Sequence, residues 1–131
     1  MRHLFFFIII QLFIFTASGQ LRIETGAHWI TTGNPTVVLE DMNFQNNGNF
    51  NAGTGTIKLT GNLISGITGT SASMNLARLE IAKSNLANAV LGRNINVNTE
   101  IKLVSGILDI GNYQVLMGNG SSITGETENS R

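Results

Sequence analysis

Glycine or asparagine breaks this chain too often for a helix to form. From residue 88 to residue 118 it reads NAVLGRNINVNTEIKLVSGILDIGNYQVLMG, with Gly or Asn breaks every six to eight residues. An isolated helix shorter than about 12 residues is marginal in water. Between the breaks, apolar residues alternate with polar ones. Ile95 and Val97 alternate with Asn94, Asn96 and Asn98; Ile101 and Leu103 flank Lys102; Leu108 and Ile110 flank Asp109; Tyr113, Val115 and Met117 share one parity. Successive side chains of a strand point to opposite faces, so each piece offers one apolar face. Ser105-Gly106, Gly111-Asn112 and Asn119-Gly120 supply the turns, because Gly and Asn tolerate positive φ.

The same grammar runs through the rest of the chain. Residues 20–34 give a short strand, a Gly turn and a second strand carrying Trp29. The single proline, Pro35, stands at a junction, where its missing N–H costs least. Residues 36–41 (TVVLED) and 56–61 (TIKLTG) read as strands. Residues 42–55 would make an uncomfortably long loop. They are better read as two brief strands, Asn43-Phe44-Gln45 and Asn49-Phe50-Asn51, each turning a Phe inward. Residues 63–73 are dense in small turn residues. In residues 74–90 a short helix competes with a strand; Leu79 and Ile81 flanking Glu80, with Ser84-Asn85 as a turn, favour the strand.

TVVLED and TIKLTG start 20 residues apart, and Ile57-Lys58-Leu59 returns as Ile101-Lys102-Leu103 after 44 residues, two steps of 22. A period near 20 in a strand-and-turn sequence marks a stacked coil, in which each turn of chain forms one rung. A rung cannot bury its own apolar face, but stacking makes a continuous interior. The sixteen asparagines suit this arrangement, since amides at the turns can form ladders from rung to rung. The expectation is an all-β, right-handed parallel β-helix (β-solenoid) of about five rungs. At ~4.8 Å per rung it would be on the order of 25 Å long. An antiparallel β-sandwich is the alternative. The ending, GSSITGETENSR, shows no capping pattern, which points to an N-terminal piece of a longer protein or to a last rung covered by a neighbour.

Residues 1–19 read as a cleaved secretory signal peptide: Arg2 and His3, an apolar run over residues 4–15, then Ala17-Ser18-Gly19 before Gln20. Twelve apolar residues fall short of the ~20 that span a bilayer. Five of the seven Phe lie in this leader, so residues 20–131, the expected solenoid domain, need an aliphatic core. Net charge is zero, which gives no electrostatic footprint for nucleic acid or an anionic membrane. With no cysteine, ladders and packing alone must hold the fold.

Chemistry is sparse. After the leader only one histidine remains, His28, without a partner at metal-ligand spacing. Nucleophile-elbow, zincin and P-loop motifs are missing. The adjacent acids Glu40 and Asp41 would face opposite sides of a strand. No catalytic residue, cofactor or metal site is expected. Trp29 and Tyr113 are the candidate ligand-binding residues, because an exposed aromatic face can cover a sugar ring; the competing reading puts both in the core. Asn119-Gly120-Ser121 fits a glycosylation sequon but reads more simply as a turn.

The leader together with GTGTIKLTG (residues 53–61) and LVSGILDIGNYQVLMGNGSSITG (residues 103–125) resembles the N-terminal β-repeat regions of large secreted surface proteins of Bacteroidetes-type bacteria. The resemblance covers most of residues 36–125. Such proteins end in a sorting domain read by the type IX secretion system, which this sequence lacks. The resemblance implies a secreted or cell-surface location and a structural or adhesive role, with no catalytic residue to carry over. The expected partners are surface glycans or extracellular matrix, or a second copy associating end to end; the membrane enters only through the export signal. Two other roles stay open: a glycan-binding β-module, and the N-terminal part of a β-helix polysaccharide-degrading enzyme.

Overall fold

The computed structural model describes residues 19–128; the expected leader lies outside them except for Gly19. Every element in it is a β-strand, and every strand pair is parallel. That excludes the antiparallel sandwich. The chain forms a β-solenoid of about five rungs, each carrying a short strand on three successive sides.

Rung 1 holds β1 (Gly19–Ile23), β2 (His28–Ile30) and β3 (Thr36–Glu40). Rung 2 holds β4 (Met42–Asn46), β5 (Asn49–Asn51) and β6 (Thr56–Gly61). Rung 3 holds β7 (Ser65–Thr68) and β8 (Asn75–Lys83), and rung 4 holds β9 (Asn88–Leu91) and β10 (Ile95–Ser105); β8 and β10 each run along two sides. Rung 5 holds β11 (Ile107–Asp109), β12 (Val115–Met117) and β13 (Ser122–Thr124). One side is the sheet β1-β4-β7-β9-β11. Another joins β3, β6, β8, β10 and β13, and the third is split into the pair β2-β5 and the pairing of β8 and β10 with β12.

Partners lie 19 to 24 residues apart, from Asn88↔Ile107 to Ser65↔Ala89. The 20-residue repeat joins neighbouring rungs and the 44-residue repeat joins rungs two steps apart. Thr36 pairs with Thr56, and Ile57 reaches Ile101 through Leu79. Inward columns follow: Val37, Ile57, Leu79, Ile101 and Ile123, and beside them Leu39, Leu59, Ile81 and Leu103. Ile123, at the end of its column, is 55 % exposed. For the others the register is strongly fixed, because a one-residue slip would turn their side chains to water. Phe44 and Phe50 are the aromatic members of an otherwise aliphatic buried core. On the outside of the same sheet Glu80 lies in register between Lys58, whose Nζ it meets at 2.9 Å, and Lys102.

Two segments hold strands that turn-rich composition hid. Residues 63–73 contain β7, whose Ser65 and Ile67 are buried, and the polar C-terminal stretch contains β13, which completes rung 5. Stacking supplies what local propensity lacks at both places.

The turn at residues 84–87 closes with a 3.0 Å bond from Ala87 N–H to Ser84 O, and both central residues sit at positive φ: Asn85 at 54° and Leu86 at 57°. Asn tolerates that region; Leu is strained there by about 1–2 kcal/mol. Leu86 is exposed and contributes little to the core. Leu86→Gly is therefore expected to stabilise the protein by about 0.5–1 kcal/mol, after allowing for glycine's freedom in the unfolded chain. A thermal melt that falls rather than rises would show that Leu86 has a packing role this turn does not reveal.

Candidate functional site

Trp29 and Tyr113 belong to opposite ends of the column and do not form a common site. Trp29, on β2 of rung 1, is half-buried and meets Phe50 edge-on, ring centroids 6.1 Å apart. Tyr113 precedes β12 in rung 5, in a turn closed by its N–H to Ile110 O at 2.9 Å; it is exposed. Four rung steps separate them, about 19 Å along the axis. Trp29 packs against the core; of the two, Tyr113 is the exposed one. His28 is exposed.

The chemically dense places are the corners. Where the chain leaves β3's side for β1's side, Asp41, Gly61, Lys83 and Gly106 follow one another from rung to rung. Asp41 is not part of the strand with Glu40. It sits beyond β3 at φ 51°, which re-aims its carboxylate along the axis. Asp41 Oδ1 accepts from Leu63 N–H at 2.8 Å and lies 3.3 Å from Lys83 Nζ. Gly61 lies between them, and a Cβ there would strike the Asp41 carboxylate. The bare glycine is what lets a side chain of rung 1 reach rung 3. Lys83 is wholly buried; its Nζ also donates to Thr60 O at 2.6 Å and to Ser65 Oγ at 2.9 Å. The Leu63 N–H, aided by Lys83, holds the Asp41 carboxyl below its usual range despite some desolvation. A sequence signal for Lys83 existed: Leu79, Ile81 and Lys83 share one parity, so the lysine points inward with them.

A second tie crosses another corner. Arg93, between β9 and β10, donates to Ser71 Oγ at 2.8 Å and Ser71 O at 2.6 Å in rung 3, and to Asn46 O at 3.3 Å in rung 2. Amide ladders occur, but on paired strands rather than at turns, with Asn96 Nδ2 donating to Asn75 Oδ1 at 2.7 Å and Gln20 Nε2 to Gln45 Oε1 at 2.9 Å. More often an Asn oxygen takes a backbone N–H of the next rung: Asn43 from Gly66, Asn47 from Thr70, Asn94 from Gln114.

Two openings stand out among the described residues. The far face of rung 5 leaves an apolar hollow of about 230 Å³ over Ile101, Leu103, Leu108, Val115 and Ile123. The other is a polar crevice of about 260 Å³ in the split third side, lined by Gly48, Asn49, Phe50, Ser71, Ser73 and Asn75 among others. Its cause is local. The connection from β7 to β8 covers residues 69–74, while β4 reaches β5 through residues 47–48 and β9 reaches β10 through residues 92–94. The extra residues hold β8 away from β5. No cluster of three or more metal-ligating side chains occurs among the described residues.

No family model, no curated protein and no solved structure matches this chain.

Proposed function

We propose that this chain is a secreted, non-enzymatic structural segment, a β-solenoid stalk or adhesive scaffold displayed at a cell surface as part of a longer protein. One observation carries the reading: the polar side chains inside the column are spent on tying rungs together. Lys83 and Asp41 join rungs 1, 2 and 3, and Arg93 joins rungs 2, 3 and 4. A chain selected for chemistry would be expected to leave such groups facing substrate. The hydrophobic leader and the resemblance to surface repeat regions support export. Surface glycans or extracellular matrix are the partners this reading implies.

The test is location. With the gene expressed from its own start codon, an antibody against residues 36–125 is expected to detect the protein on intact cells or in the medium, shortened by the leader, and protease added outside is expected to remove the cell-bound fraction. Protein confined to the cytoplasm with its leader attached would end the proposal. Sequencing the reading frame past Arg131 adds the second half: further repeats followed by a sorting domain fit a stalk.

A further inference from the structure

We infer that the crevice between rungs 2 and 3 is a binding site for one neutral sugar residue. The argument starts from the ladder. In a parallel sheet each residue directs its N–H and C=O to one side, and neighbours alternate. Asn49 N–H bonds Ala27 O at 2.9 Å and Asn51 O accepts from Thr31 N–H at 3.0 Å, both toward rung 1. Phe50, between them, therefore turns its N–H and C=O toward rung 3. On the other lip, Met74 O accepts from Asn96 N–H at 2.8 Å, toward rung 4. Asn75 therefore turns its N–H and C=O toward rung 2. In an unbroken column these two residues would face each other across one ladder step. Here β5 pairs with β2 and β8 with β6 and β10, and no pairing joins β5 to β8. Both residues line the crevice.

Side chains add to the two lips. Ser73 Oγ accepts from Asn75 Nδ2 at 3.2 Å and keeps its own proton to donate. Asn49 brings an exposed amide, and Ser71 Oγ donates to Ser73 O at 2.9 Å along the wall. Every group here both donates and accepts or belongs to a donor–acceptor pair, and no ionised side chain lines the opening. The Arg93 guanidinium behind the wall is held by Ser71 and Asn46. A charged ligand would find no counter-charge. A ligand made of hydroxyl groups matches group for group. The volume equals that of roughly nine liquid waters, room for one sugar ring and its hydroxyls. The site does not use Trp29 or Tyr113, and it would exist wherever the column is displayed, so its test stands apart from location.

The experiment is an NMR titration of the ¹⁵N-labelled chain from Gln20 with the methyl glycosides of glucose, galactose, mannose and N-acetylglucosamine. At least one is expected to shift the Phe50 and Asn75 backbone amides and the Asn49 and Asn75 side-chain amides, with the rung 5 amides unmoved. Ser73→Ala and Asn75→Asp keep the backbone and the Asn75 oxygen that serves Asn96, so the fold is retained. Each is expected to weaken that binding by about fivefold or more, the scale of one lost hydrogen bond. Shifts confined to Tyr113 and its neighbours would overturn the assignment, as would unmoved crevice amides with all four glycosides. Binding unaltered by both variants would do the same.

Discussion

Replacing Lys83 with alanine is expected to destabilise the protein by about 3 kcal/mol, and replacing it with methionine by roughly half as much. The alanine leaves a cavity where a four-carbon stem was fully enclosed, a change that costs about 2–5 kcal/mol for a side chain of that size. It also strips the buried Ser65 Oγ of its donor, while Thr60 O keeps the Asp41 N–H at 3.1 Å; a buried acceptor left without a partner costs about 1–3 kcal/mol. Methionine refills the volume but not the hydrogen bonds, so the difference between the two variants measures packing and the remainder measures polar anchoring. Urea unfolding followed by circular dichroism reads both, through the midpoint at constant slope. A Lys83→Ala midpoint equal to that of the parent would mean that the corner tie contributes nothing.

The same corner sets an acid limb. Asp41's carboxyl is held below its usual range first by the Leu63 N–H and then by Lys83. A carboxyl whose folded pKa is depressed adds stability that is fully present above the unfolded value of about 3.9. That stability is lost as pH falls through the lower folded value. Asp41→Asn is expected to remove this part of the pH dependence altogether. Lys83→Met is expected to remove only part of it, because the leading Leu63 bond survives.

Phe44→Ala is the other large loss, about 4 kcal/mol, near the middle of the range for emptying a buried phenylalanine site. Phe44 is fully buried and meets Phe50 edge-on at 5.1 Å, while Phe50 meets Trp29. Removing the first ring loosens the second, and Trp29 is the chain's one tryptophan. Its emission is therefore expected to shift to the red in the folded variant, before any denaturant is added. Unchanged emission together with an unchanged melting temperature would place Phe44 outside the core network.

The sequence was most legible where side chains alternate. Period 2 exposed the inward columns, the 20-residue echo matched neighbouring rungs and the 44-residue echo matched rungs two steps apart, because stacking like on like repeats the same apolar choice at the same angle. It was least legible where stacking overrides composition. Residues 65–68 are a strand because Phe44 and Gln45 lie on one side of them and β9 on the other. Nothing in SGIT demands it. The sequence places Asp41 in a strand beside Glu40; its positive φ takes it out of the strand and makes it a corner tie. The crevice could not be read at all. Its signal is a connection longer than those of the rungs on either side of it, which has meaning only once rungs are aligned. Trp29 and Tyr113 stood out by residue type, and the fold sent one to the core and the other to an exposed turn.

The shape of a rung has a mechanical consequence. One rung occupies about 4.8 Å of column height. The 22-residue step from Thr56 to Arg78 would span roughly 75 Å if drawn out straight. A pull along the axis that frees a single rung would thus lengthen the tether about fifteenfold over the height it gave up. Lys83 and Arg93, each gripping more than one rung, would make that release stepwise, since loosening one turn must also break its neighbours' bonds. Such a column would act as a reserve of slack, short at rest and long under load.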